Sequence, residues 1–391
     1  MNFVKFTFIL ICIMMINTAT CQENIYQNLA SEEIKLLYSN YQENSTTPLQ
    51  KYYLEADECK SEYPFYSYNL ALKCRRIVII RNIDSMVSTN GTEVTINNMS
   101  SVLKNTSEEV GDNLQLMKNN NLTFQSIEWL SLAERNYQES KYYYSISQDQ
   151  YNYPNQSTTL DALAKTEFAI YKTRKLLKMV EDKNKLYPKI NSTQLSCEGE
   201  KVASEWIEAA DKNLSILTKS GKRKDIAIYC ESNINIAKEY FYKENYYMAI
   251  MTAAEIKALA DYGVKYEKFN TSQDAIIYAE NQLKNANNSL KTLLDKNNID
   301  APIAMLHIET AQIRMEEAKN EDSINSIPLA DSVTRNSLIA NEQVYAIMEY
   351  KEAIKNIDET SEKTRVERIP IGIPPFFVVL LVYLSLRRKV T

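Results

Sequence analysis

Glycine is scarce, with six in 391 residues against ordinary usage of about 7%. Phosphate-cradling loops and strand-rich folds both draw on glycine for tight turns and close backbone approach, so the shortage argues against both. Histidine occurs once, as His307 in APIAMLHIETAQIRMEEA. A Ser-His-Asp or Cys-His site would have to use it, yet it sits mid-helix among apolar neighbours, where a packing or surface role fits better. No C-x-x-C pair supports zinc or thioredoxin-like chemistry. No H-E-x-x-H, G-x-S-x-G, P-loop or dinucleotide fingerprint occurs either. The sequence therefore assigns no catalytic residue, no metal ligand and no cofactor. A cryptic Ser–Lys hydrolase stays open on composition, although the glycine-containing turn that would present its nucleophile is missing. Surplus charge is also lacking: the net value is −5 with both signs mixed, which argues against a nucleic-acid partner.

What remains is helix. Most of residues 25–360 shows three-and-four spacing of apolar positions, as in Leu160, Leu163, Ala164, Phe168, Tyr171, Leu176, Leu177 and Val180. Thr158 before Asp161 and Thr271 before Asp274 resemble capping boxes. Breaks fall at residues 44–48, 118–121, 151–157, 186–193 and 268–272, where Asn, Pro, Ser and Thr cluster. The spacing predicts about ten helices of roughly 15 to 28 residues in an all-α, irregular array of antiparallel hairpins. The regions expected are 22–150, 151–266 and 267–362.

The two ends predict a route through a membrane. Lys5 precedes an uncharged run from Phe6 to Ile16, then small residues, which is the layout of a secretory signal over residues 1–21. Ile369 to Leu386 carries no charge and is followed by Arg387, Arg388 and Lys389. That stretch approaches the ~20 residues needed to span a bilayer, so residues 369–388 are expected to be a transmembrane anchor. The positive-inside rule puts the cations in the cytoplasm and the bulk of the chain outside.

An extracytoplasmic setting permits disulfides among Cys59, Cys74, Cys197 and Cys230. Pairing of sequence neighbours, Cys59–Cys74 and Cys197–Cys230, is one of three connectivities, and four free thiols is the other reading. It also permits glycosylation at ten sequons: Asn44, Asn90, Asn98, Asn105, Asn121, Asn155, Asn191, Asn213, Asn270 and Asn287.

A weak repeat places an Ala, eight residues and two aromatics at Ala56–Phe65–Tyr66, Ala133–Tyr142–Tyr143 and Ala237–Tyr246–Tyr247. Each copy predicts a helical hairpin, with a polar turn just ahead of the aromatics. The third continues MAIMTAAEIKALA, so 225–262 looks like a tetratricopeptide-type (TPR-like) hairpin. Recurrent hairpin packing is the plainer reading. The alternative makes Tyr142, Tyr143, Tyr246 and Tyr247 a partner-binding surface.

Four stretches, YPFYSYNLALKC, NLTFQSIEWLSLAERNY, INSTQLSCEGEKVASEWIEAADKNL and AKEYFYKENYYMAIMTAAEIKALAD, precede the C-terminal apolar segment in that order. Together they resemble the helical region of archaeal membrane-anchored Lon-like (S16-type) serine proteases. The resemblance covers roughly residues 30–265 and the anchor. It implies an archaeal source and a companion role beside a protease. The family's α/β protease domain has no counterpart here, and no position matches its nucleophile motif, so no catalytic residue carries over. The expectation is a non-enzymatic, membrane-anchored helical protein with a protein or peptide partner. A glycosylated envelope spacer is the alternative.

Overall fold

A computed structural model describes residues 27–37, 47–120, 122–149, 155–190, 192–266, 269–297, 299–321 and 323–367. The expected signal segment and the expected anchor lie outside these residues, as do Asn44, Asn121 and Asn191. No described helix is long and apolar enough to cross a membrane.

The described chain is all-α. Its helices are α1 (residues 27–37), α2 (Thr47–Cys59), α3 (Pro64–Asn90), α4 (Thr92–Asn119), α5 (Phe124–Gln148) and α6 (Gln156–Leu186). They continue with α7 (Ser192–Ser220), α8 (Lys224–Tyr242), α9 (Tyr246–Lys265), α10 (Ser272–Asn297), α11 (Pro302–Asn320) and α12 (Ser323–Glu367). Two short strands, β1 (Leu122–Thr123) and β2 (Lys189–Ile190), pair antiparallel with Leu122 opposite Ile190. They tie the α4–α5 link to the α6–α7 link. One compact unit runs to Tyr350 and holds helices from all three expected regions; of the second, residues 351–367 are described and helical.

Most ends fall where the chain offers breakers. Gly91 takes φ +82° between α3 and α4, a conformation only glycine adopts without strain. Asn245 caps α9, its side chain accepting from the Met248 amide at 3.3 Å. Thr271 accepts from the Asp274 amide at 3.1 Å and donates its hydroxyl to that carboxylate at 2.7 Å, which gives the cap half of the expected box, with the Asp274 carboxylate on the hydroxyl instead of the Thr271 amide. Thr158 does not cap. The cap of α6 is Asn155, three residues earlier, which accepts from the Ser157 amide at 3.0 Å, so Thr158 falls inside the first turn.

Alanine sets the close approaches. Ala56, Ala133 and Ala237, the heads of the three repeat copies, are all fully buried. The first and third copies turn where expected, around Lys60–Glu62 and at Lys243–Asn245. The second does not: Glu134–Lys141 runs unbroken through α5, since ERNYQESK holds no Gly or Pro to stop a helix. α8 and α9 pack on each other across their three-residue turn, and α7 packs on α9. Small residues let them in, among them Ala249, Ala253, Ala254 and Ala260, all fully buried on α9.

α5 packs along α6, and Trp129, Leu163 and Val180 form the fully buried centre of one core cluster, to which α3 and α4 add Ile79, Ile83 and Val110. A second cluster joins α1, α2 and α3 through Leu37, Leu49, Leu70 and Ala71. Glu33 fastens α1 there: its buried carboxylate takes Arg75 of α3 at 2.8 Å and the Tyr171 hydroxyl of α6.

Two of the helices that begin without a capping side chain, α3 and α11, start at a proline, and Tyr63 and Ala301 give no side-chain cap. Proline suits a first helical position because its missing N–H would be unpaired there anyway. The next amides still need acceptors, and buried glutamates from other helices supply them. Glu309 of α11 accepts from Tyr66 N at 2.6 Å and Phe65 N at 3.4 Å. Glu128 of α5 accepts from Ile303 N at 2.8 Å.

Candidate functional site

α5, α8 and α9 leave a groove of about 830 Å³ between them. Its walls carry Tyr142 and Tyr143 from α5 with Tyr229 and Tyr240 from α8. Tyr142 stands 62% exposed and meets Tyr143 edge-on at 5.4 Å, the offset geometry that ring quadrupoles favour. The Lys165 ammonium lies 5.3 Å from the Tyr143 ring centre.

The groove meets an inner cleft of about 350 Å³ at four shared residues, Arg135, Glu139, Thr252 and Glu255. The cleft is apolar in its floor, with Leu132, Leu176, Met248 and Met251. Its polar lining includes His307 from α11 and Gln343 from α12.

The shared belt is balanced in charge. Glu139 takes Arg135 and Lys172, each at 3.4 Å, and Glu255 accepts from the Tyr229 hydroxyl. Burial lowers the Lys172 ammonium from its ordinary value, with Glu139 pulling the other way. Burial and Glu255 raise the Tyr229 phenol, so it stays a hydrogen-bond donor at neutral pH.

The expected tyrosine surface is divided. Tyr142 and Tyr143 line this groove, whereas Tyr246 and Tyr247 line a separate cavity of about 360 Å³ beside Leu195, Glu244 and Tyr350. Tyr247 is only 3% exposed and donates to Glu128 at 2.7 Å, so it belongs to the core network. His307 is half-buried and its Nδ1 meets Asn336 Oδ1 at 2.8 Å. An amide, not a carboxylate or nucleophile, orients it. Among the described residues no group of three or more His, Cys, Asp or Glu is placed to hold a metal ion.

All four described cysteines are free thiols. Cys74 and Cys230 are buried and point at separate carbonyls, Leu49 O at 3.8 Å and Ile256 O at 3.9 Å. Cys59 is half-buried and Cys197 exposed. Of the described sequons, Asn90, Asn98, Asn105, Asn155 and Asn270 are exposed, and Asn213 and Asn287 half-exposed.

No family model, no curated protein and no solved structure matches the chain.

The cleft itself is invisible to motif reading. It gathers residues from α3, α5, α6, α9, α11 and α12, and Gln343 and Lys172 carry no local signature. The nearest sequence signal was the Ala–aromatic spacing at Ala133, which located Tyr142 and Tyr143 for the wrong structural reason.

Proposed function

We propose that this chain is a non-enzymatic, membrane-anchored extracytoplasmic helical protein that binds a peptide segment of another protein, with α8 and α9 as a TPR-like hairpin in the binding wall. The observation that carries the reading is the tyrosine-walled groove opening onto an apolar cleft across a neutral belt. Tyrosine gives large contact area at low entropic cost and keeps a polar tip, which suits an exposed surface that must bind and release. The resemblance to the helical companion region of Lon-like proteases points the same way, toward an accessory that presents polypeptides to a membrane protease. The C-terminal apolar segment with its Arg387–Lys389 flank supports the anchor, and the signal-like start supports export.

The test is an array of overlapping peptides from extracytoplasmic proteins, probed with the full chain in detergent. Binding to a defined subset, lost on Tyr143→Ser and Tyr229→Phe, is expected. If no peptide binds above background, the reading fails. The second reading, a glycosylated envelope spacer, is favoured by one observation: none of the seven described sequons is buried. Occupied sequons together with an empty peptide array would turn the conclusion to the spacer.

A further inference from the structure

α3, α4 and α6 leave a further groove of about 470 Å³, which shares no residue with the tyrosine groove or the inner cleft. Its buried lining is core: Met99 and Leu103 of α4 and Ile170 of α6. Its outer lining is apolar too, with Met86 of α3 and Val102 of α4 standing 37% and 62% exposed. From Arg75 to Met86 the α3 wall runs ~16 Å, about three helical turns.

One charge in this groove is unanswered. Arg75 is held by Glu33 at 2.8 Å and Arg174 by Glu109 at 2.9 Å. Glu167 of α6 is half-buried, and among the described residues its carboxylate makes no ion pair and no hydrogen bond. Burial raises its acid above the ordinary carboxylate value, with no neighbouring charge acting on it. A carboxylate drawn partly out of water is stabilised by a cation brought to it. The groove therefore suits a ligand that is apolar along its length and positive at one point.

The walls narrow the shape of that ligand. All three are helices, so they offer no strand edge to an extended peptide, whose amides would go unpaired on apolar surface. A helix satisfies its own backbone and can lie in such a groove through residues at i, i+3 or i+4, and i+7. A compact amphiphile on the buried lining would leave Met86 and Val102 bare.

We propose that this groove docks an amphipathic helix of a partner protein, its apolar face along α3 and α4 and one of its lysines or arginines paired with Glu167. A long basic side chain fits the setting, because its stem packs on apolar surface while its head reaches the carboxylate. The surface is separate from the tyrosine groove, so it stands or falls independently of the peptide-binding reading above.

The experiment uses the full chain in nonionic detergent, with detergent alone as the blank. The probes are fluorescent, alanine-based helical 14-residue peptides with leucine at i, i+4 and i+7. One further position is scanned as Lys, Gln or Glu to give three pools. Anisotropy titration is expected to show the Lys pool binding roughly fivefold tighter than Gln, with Glu weakest. Glu167→Gln should collapse the Lys-to-Gln ratio to near one. Val102→Ser, at an exposed position, should weaken all three pools alike.

Equal Lys and Gln binding in the unaltered protein, or a ratio that survives Glu167→Gln, overturns the proposal. So does binding that Val102→Ser leaves unchanged, and so does binding by no pool. Should Glu167→Gln not fold, as judged by its circular dichroism melt, Val102→Lys sets a cation in the groove from its exposed wall. That variant must shift the preference from the Lys pool toward the Glu pool, or the proposal fails. Light scattering that finds a dimer broken by Val102→Ser would mean that a second copy of this chain covers the groove, and would also overturn it.

Discussion

The carboxylate of Glu128, in the second turn of α5, accepts the Ile303 amide at 2.8 Å and so closes the first turn of α11, 175 positions along the chain. The same carboxylate takes the Tyr247 hydroxyl of α9 at 2.7 Å, which makes Glu128 a three-helix junction. Removal from water lifts its acid well above the ordinary range, to about 8; the two hydrogen bonds pull down and nearby Asp300 pushes up.

A sign follows for stability. Between the ordinary carboxylate value of 4.5 and about 8, the folded protein keeps a proton that the unfolded chain releases. Unfolding free energy therefore falls as pH rises through that window. Glu128→Gln keeps an acceptor for Ile303 and cannot ionise. The variant is expected to match the parent within about 1 kcal/mol at pH 5 and to exceed it by on the order of 2–4 kcal/mol at pH 8. Urea denaturation at both pH values checks it, and equal stability at pH 8 would sink the assignment.

Glu309 does the equivalent work for α3, with its acid lifted by burial to about 7. Glu309→Ala strips the Tyr66 and Phe65 amides of their acceptor and should cost about 1–3 kcal/mol at pH 5. Glu309→Gln keeps the bond to Tyr66 and should cost less. Its deficit should shrink or reverse as pH climbs from 5 to 7, and level off there, one unit below the Glu128 window. Thermal melts of both variants across pH 5 to 8 separate the two glutamates.

The thiols should react in order. Cys197 is exposed, while burial and neighbours Glu55, Glu58 and Glu62 raise the Cys59 thiol. Burial lifts Cys74 to about 11 and Cys230 to about 12, which leaves almost no thiolate to act as nucleophile at neutral pH. Mass mapping after brief alkylation at pH 7.5 should find Cys197 labelled first, Cys59 slowly, and the other two only in denaturant. A pair that stays unlabelled in denaturant without reductant would reveal a disulfide instead.

Helix breaks were the most legible part of the sequence, because the Asn, Pro and Ser clusters near 118–121, 151–157, 186–193 and 268–272 break the chain by local chemistry alone. The polar run Glu134–Lys141 predicts a turn where α5 continues unbroken, because helix-forming polar residues serve equally well on a solvated face. The trans caps were hidden for a deeper reason. Glu128 lies in FQSIEWLSLAE and Glu309 in LHIETAQ, both ordinary helical carboxylates until a proline-started helix docks against them. The inner cleft shares that origin, since His307 and Gln343 line one cavity only when α11 and α12 pack.

Lys183 and Asp300 form the last test, and it concerns specificity as well as stability. Their charged groups pair at the centre of the fold, each about 1% exposed, and Asp300 also accepts the Trp129 indole N–H at 3.3 Å. Removing one charge of such a pair leaves the other stranded out of water, at about 3–5 kcal/mol. Lys183→Met should therefore be severely destabilised. Adding Asp300→Asn removes the stranded charge while keeping an acceptor for Trp129, so the double variant should recover much of the loss. The Asn also lifts the charge that pushes the Glu128 acid upward, so the pH dependence of stability between 5 and 8 should flatten. Trp129 fluorescence during denaturation follows both effects. A double variant no more stable than Lys183→Met would mean that the ion pair does not govern this part of the core.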